Sequence, residues 1–188
     1  MPAVVRPYGV VATLGPSGTS SELAAQYLCT LLGDERPDAV VLHDSYEQAH
    51  ADVVAGRAVR MVVANAYHRV NTFYMDQRLA LESAFVLDTP EYGLAADPSR
   101  PVPLHPKVVT HPAPRDLIRQ LTPPGYQAGA IVEVGSTSAA AVQVTAGSAD
   151  LALTTAPAAR LHGLRFVSTT RPIRMLWSVF VRAADGAV

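Results

Sequence analysis

The sequence predicts an α/β protein of two lobes, each a largely parallel sheet covered by helices, with a ligand cleft between them. Three observations predict it. Strand-length apolar runs alternate with helix-period segments in a βαβαβ order from Val10 to Asn65. A proline-rich stretch from Pro90 to Pro114 breaks the alternation, which then resumes. Twice, an apolar strand runs into a turn of Gly, Ser and Thr that opens a helix, the arrangement that turns free backbone N–H groups toward an anion.

The first lobe opens with a strand at Val10 to Leu14. Gly15, Pro16 and Gly18 force a tight turn, and Thr19 followed by Glu22 is a capping box for a helix over Ser20 to Leu32, stopped by Gly33. Leu23, Tyr27, Leu28, Leu31 and Leu32 give that helix its apolar face. A strand at Ala39 to Leu42 follows, then a helix over Tyr46 to Ala55 with Ser45 and Gln48 as a second capping box and Gly56 as its stop. Val59 to Asn65 is the third strand, and Ala66 to Asp76 reads as a polar and aromatic loop.

The proline-rich middle holds strands at Tyr92 to Ala95 and Val108 to Thr110. The second lobe continues through a helix from Pro114 to Leu121, the turn Pro123-Pro124-Gly125 and a strand at Ala130 to Val134. Gly135-Ser136-Thr137-Ser138 then leads into an alanine-rich helix to Val144. Three successive hydroxyls can cap that helix and still leave a donor for a ligand, although an ordinary cap accounts for any one of them. Asp150 to Thr154 is a strand, Pro157 to His162 a short helix, and Met175 to Val181 a strand returning to the first lobe. The lobes are expected to divide as 1–88 plus 164–188 and 89–163, and no regulatory domain is expected.

Of 188 residues, 49% are hydrophobic and 16% charged, ample for a packed core. A net charge of −1, with Lys107 the sole lysine, argues against nucleic acid as a partner. Met1 to Val10 carries no secretory pattern and no apolar run reaches roughly 18 residues, so a soluble, cytoplasmic protein is expected. The single cysteine, Cys29, excludes an internal disulfide and reads as a small buried thiol. The six histidines show no i, i+4 pairing and no partners at ligand spacing, which disfavours a metal site.

The order of motifs resembles the prephenate dehydratase catalytic domain, whose fold is that of two-lobed type II periplasmic binding proteins. Leu14 to Glu22 looks like that family's first signature, Thr110-His111-Pro112-Ala113 its Ser-His-Pro-Gln, Ser136 to Ala140 its Ser-Thr-Ala segment, and His162-Gly163-Leu164 its Tyr-Gly-Leu. Two departures stand out. Where the dehydratases carry Pro-Ile-Glu-Asn-Ser, this chain reads Val63-Ala64-Asn65-Ala66-Tyr67-His68, without the glutamate. The dehydratase Thr-Arg-Phe motif, whose threonine is held to help the ring hydroxyl leave, is replaced by Ser178-Val179-Phe180.

The chain is then more similar to a smaller branch, the prephenate decarboxylases of the bacilysin and salinosporamide type. Asn65-Ala66-Tyr67, Phe73-Tyr74-Met75, Asp88 to Leu94, Asp150 to Thr154 and Trp177 to Phe180 carry that resemblance. It implies a cofactor-independent lyase, a homodimer by family habit, that removes CO2 from prephenate and keeps the 4-hydroxyl. The product, dihydro-4-hydroxyphenylpyruvate, feeds antibiotic biosynthesis. Resemblance and chemistry together assign the substrate's carboxylates and pyruvyl group to Thr19, Ser20 and Ser21 at one junction and to Thr137 and Ser138 at the other, with Asn65 and Thr154 as further binding residues.

A proton donor to the ring must sit within hydrogen-bond reach and stay protonated near neutral pH, which makes His68 and Tyr67 candidates, with Ser178 at the dehydratase threonine position. Tyr74 and Trp177 read as packing residues, and Arg69, Arg171 and Arg174 either meet substrate carboxylates or lie exposed. Two other functions fit the same pattern: a dehydratase making phenylpyruvate, and a non-catalytic binding protein for a small acid.

Overall fold

The computed structural model describes residues 9–184. Within them the chain forms two compact units. Unit 1 comprises the described residues through Gly15, Ser21–Leu87 and those from Arg174 onward. Unit 2 comprises Pro16–Ser20 and Asp88–Ile173. The expectation about Met1 to Val10 falls mostly on residues 1–8, outside those described. Among the described residues no helix is long and apolar enough to cross a membrane.

Unit 1 is built from β1 (Val11–Leu14), α1 (Ser20–Leu31), β2 (Val40–His43), α2 (Tyr46–Val54), β3 (Arg60–Ala64), α3 (Val70–Tyr74) and β4 (Leu79–Asp88), closed by the last strand, Arg174–Arg182. That strand is β10, and the sheet order is β2-β1-β3-β10-β4. β1 runs parallel to both β2 and β3, while β10 runs antiparallel to β3 with Ser178 opposite Val63. The central strand β3 is apolar on both faces because both are covered. Met61 and Val63 point into a cluster with Tyr46, Ala49 and Val53 of α2. Val62 points the other way, against Ala24, Ala25 and Leu28 of α1 and Trp177 and Val179 of β10.

The capping box of α2 forms with one shift. Ser45 accepts from Gln48 N at 3.2 Å, but the Gln48 side chain reaches back to the N–H of Asp44 instead of Ser45.

Unit 2 contains β5 (Tyr92–Ala96), β6 (Lys107–Thr110), α4 (Leu117–Leu121), β7 (Ala130–Glu133), α5 (Thr137–Thr145), β8 (Leu151–Thr155), α6 (Ala156–Leu161) and β9 (Arg165–Phe166). The order is β7-β6-β8-β5-β9, with β6 parallel to β7 and β8 and β5 antiparallel to β8 and β9. Leu94, Leu153, Val108 and Leu117 fill one core, and Val109, Ala140, Val144 and Ala152 a second, under α5.

Three elements differ from the sequence reading. β4, ten residues long, is absent from it because only Leu79 is buried and the segment Leu-Ala-Leu-Glu-Ser-Ala carries helix formers on a sheet edge. α3 lies inside the expected loop. The return to unit 1 comes at Arg174 and not at Leu164, since Arg165–Phe166 pairs with β5 and Tyr92 bridges Arg171.

Candidate active site

In unit 1 the end of β3 places Asn65 beside β10, where its N–H donates to Leu176 O at 3.0 Å. Its Nδ2 donates to Ser178 Oγ at 2.7 Å and lies 3.3 Å from Leu176 O. Tyr74, at the last position of α3, stands 2.5 Å from Ser178 Oγ and donates to Asn65 Oδ1 at 3.1 Å. Ser178 is wholly buried, Asn65 half-buried and Tyr74 39% exposed. The solvent-accessible members of this node are therefore Asn65 and Tyr74, with Ser178 underneath. Phe73 anchors α3 by burying its ring 6.2 Å from that of Phe180, and the Tyr74 ring meets the same Phe180 edge-on at 4.9 Å.

Tyr67 and His68 follow one turn beyond Asn65, and their rings meet at 4.9 Å. The Tyr67 phenol donates to Glu47 Oε1 at 2.7 Å. Burial and that carboxylate push the phenol up to about 12. Burial on its own would raise the Glu47 carboxyl, but Tyr67, the backbone, Arg69 and His68 outweigh it and hold it low. Arg69 reaches the same carboxylate at 3.1 Å from an exposed position. His68 is exposed.

Ser21 sits at the start of α1 with its hydroxyl 2.8 Å from the Tyr46 phenol, which also accepts from the N–H of Ala64 at 3.2 Å. That chain fastens the first turns of α1 and α2 to the end of β3, immediately before Asn65. The Ser21 hydroxyl is thus engaged by protein.

In unit 2 the hydroxyls separate into structural and available ones. Ser136 is the N-cap of α5, accepting from Ala139 N at 2.9 Å. Thr154, fully buried, donates to Thr137 O at 2.7 Å and so ties β8 to the first residue of α5. The Ser138 hydroxyl lies 3.4 Å from His162 Nε2, a weak contact. The Thr137 hydroxyl, nearly buried, engages no protein group among the described residues.

The loop Pro16–Ser20 is fixed by Thr155, whose hydroxyl donates to Gly18 O at 2.6 Å, and by Ser20, whose hydroxyl lies 2.8 Å from the Tyr92 phenol. Gly18 has φ +87°, and a Cβ there would stand 3.1 Å from the Ala158 Cα, so only glycine suits the position. Thr19 is nearly buried between these anchors. Among the described residues no three His, Cys, Asp or Glu side chains group so as to hold a metal ion.

The sequence reading put Asn65 with Tyr67 and His68 and did not pair it with Ser178, which the structure brings to its side chain at 2.7 Å; it treated Tyr74 as packing and passed over Glu47. Glu47 lies in no family motif, Tyr74 lies in Phe73-Tyr74-Met75 without a role attached to it, and the two stand on different helices, α2 and α3.

No family model matches the chain. A prephenate decarboxylase of Planktothrix agardhii is 40% identical over 176 residues, 91% of this chain and 87% of that protein. A prephenate decarboxylase of Bacillus subtilis strain 168 is 39% identical over 177 residues, covering 90% and 85%. Among solved structures, the prephenate dehydratase of Arthrobacter aurescens in complex with L-Phe superposes with a TM-score of 0.69 at 18% identity. That match covers 93% of this chain but 61% of the dehydratase, so the chain spans about three fifths of its length. A periplasmic substrate-binding protein of an ABC transporter from Coxiella burnetii superposes at 0.53, with 18% identity over 92% and 83% of the two chains. These structures share the two-lobed periplasmic-binding-protein fold, and the sequence identities place the chain in the prephenate decarboxylase family.

Proposed function

We propose that this protein removes CO2 from prephenate while keeping the ring hydroxyl, releasing dihydro-4-hydroxyphenylpyruvate. Prephenate carries its ring carboxylate at C1 and its hydroxyl at C4 of a cyclohexadiene. When the C1–carboxylate bond breaks, its electron pair enters the diene, so the substrate is its own electron sink and no cofactor is required. Both fates of prephenate then consume one proton. Delivered to a ring carbon beside the carbinol, it yields the dihydro product. Delivered to the C4 oxygen, it expels water and the ring becomes aromatic.

The observation that carries this reading is the state of Ser178. At the position of the dehydratase threonine stands a neutral hydroxyl, wholly buried and bonded to Asn65 and Tyr74, so it is not poised to protonate a leaving oxygen. The exposed His68 is assigned as donor to the ring carbon, since the Tyr67 proton is committed to Glu47. Thr19 at the start of α1, and Thr137 with Ser138 at the start of α5, take the carboxylates and pyruvyl group. Within this reading the protein acts as a cytoplasmic homodimer supplying an antibiotic precursor.

The test is proton NMR of the products after incubation with prephenate alone. Retained vinyl signals with a carbinol proton support the proposal. Aromatic signals would make the protein a dehydratase, and intact prephenate alongside a raised melting temperature would make it a binding protein.

A further inference from the structure

We infer that Tyr74 determines product specificity, by leaving the node over Ser178 with no proton to give to the substrate hydroxyl; this rests on the decarboxylase reading above. The argument is a count of donors. Asn65 Oδ1 can only accept, so the Tyr74 proton points to it at 3.1 Å. One phenol has one proton, so the 2.5 Å contact between Tyr74 and Ser178 is filled by the serine proton, donated to the phenol oxygen. Asn65 Nδ2 completes the circuit to Ser178 Oγ at 2.7 Å and turns its second hydrogen toward Leu176 O at 3.3 Å.

Every side-chain polar hydrogen of the three groups is spent on protein, three within a closed ring and one on the Leu176 carbonyl, while lone pairs on the Tyr74 and Asn65 oxygens remain. Such a surface accepts a hydrogen bond from the C4 hydroxyl but cannot donate one. Accepting that hydrogen leaves more electron density on the carbinol oxygen and makes it a poorer leaving group. With the oxygen route closed, the proton that balances CO2 loss must go to carbon.

Removing the phenol oxygen opens the ring at one point. In Tyr74→Phe the Ser178 proton loses its acceptor, and the vacated space, 2.5 Å from Ser178 Oγ and 3.1 Å from Asn65 Oδ1, is a seat for the substrate's own hydroxyl. A hydroxyl seated there receives the serine proton. The C4–O bond breaks with its pair on oxygen, water leaves, the C1–carboxylate pair completes the aromatic ring, and the serine is reprotonated from solvent.

The experiment compares wild type, Tyr74→Phe, Asn65→Ala and Tyr74→Phe with Ser178→Ala, each checked for folding by circular dichroism and incubated with prephenate. The ratio of phenylpyruvate to dihydro-4-hydroxyphenylpyruvate is read by proton NMR. The expected result is a rise in that ratio of about 100-fold in Tyr74→Phe, the contribution of one positioned proton donor, and its collapse when Ser178→Ala is added. Asn65→Ala opens the same ring from the other side, so a raised ratio there carries the test if Tyr74→Phe does not fold. An unchanged ratio in every folded single variant overturns the proposal, as does phenylpyruvate that persists in the double variant. Wild-type protein that consumes no prephenate overturns the decarboxylase reading itself, and a wild type already making phenylpyruvate overturns both.

Discussion

The Tyr67 phenol and the Glu47 carboxylate are joined by a 2.7 Å hydrogen bond in which the tyrosine is the donor. The adjacent His68 has no such anchor and faces solvent. His68→Gln should therefore lower the turnover number by about 100-fold while leaving the Michaelis constant for prephenate near its wild-type value, the usual signature of a lost general acid. Tyr67→Phe should change turnover by only a few-fold. Steady-state kinetics check both, and the reverse ranking would hand the proton to the tyrosine.

The same bond predicts a high-pH effect on stability. Folding raises the Tyr67 phenol from its ordinary value near 10 to about 12, through burial first and the Glu47 carboxylate second. The fold favours the neutral phenol, so its contribution is complete below about pH 10, shrinks above that and is gone above about 12. The difference in urea midpoint between wild type and Tyr67→Phe should be constant at neutral pH and narrow across that window. A spectrophotometric titration should lose one late-ionising phenol in the variant.

Ser136 and Thr137 are neighbours with opposite expected behaviour. Ser136→Ala removes the cap of α5 and should cost about 1 kcal/mol of stability with little change in prephenate affinity. Thr137→Val removes a hydroxyl that engages no described protein group, so it should weaken prephenate binding and leave the melting temperature almost unchanged. Thermal melts with and without prephenate separate the two.

Ser178→Thr restores the dehydratase residue type at its position but should not restore dehydration. The new methyl enters a site with no exposed surface, at a cost of about 1–3 kcal/mol from overpacking, and the hydroxyl still meets Asn65 and Tyr74. The expected outcome is a lowered melting temperature and no phenylpyruvate above the wild-type level. Substantial aromatic product from this single change would show that the surrounding bonds do not govern the outcome.

Most of the sheet architecture was legible because strands β1, β3, β5 and β8 are buried runs bounded by glycine or hydroxyl turns. Gly33, Gly56 and Gly163 close their helices with positive φ as a stop signal requires. The edge strand β4 was illegible for the opposite reason. Its middle faces solvent, and the carboxylate of Glu82, which holds the buried Arg60 guanidinium at 2.6 and 2.8 Å, looks in sequence like any surface acid. At the site, hydroxyl-rich junctions could be seen, but not which hydroxyls the fold spends. Ser20, Ser21 and Thr154 are each bonded to Tyr92, Tyr46 and the Thr137 carbonyl, partners 72, 25 and 17 residues away. Tyr74 was read as packing because its partners, Asn65 and Ser178, are 9 and 104 positions distant and share no local pattern with it.

The five residues Pro16–Ser20 belong by their contacts to unit 2, although unit 1 sequence flanks them on both sides. This makes the second unit indivisible in a way two chain breaks cannot repair. A fragment spanning 88–173 would keep Tyr92 and Thr155 but lose Ser20 and the Gly18 carbonyl, the partners that their hydroxyls meet at 2.8 and 2.6 Å. A graft of this unit must therefore carry the short Pro16–Ser20 loop along with residues 88–173.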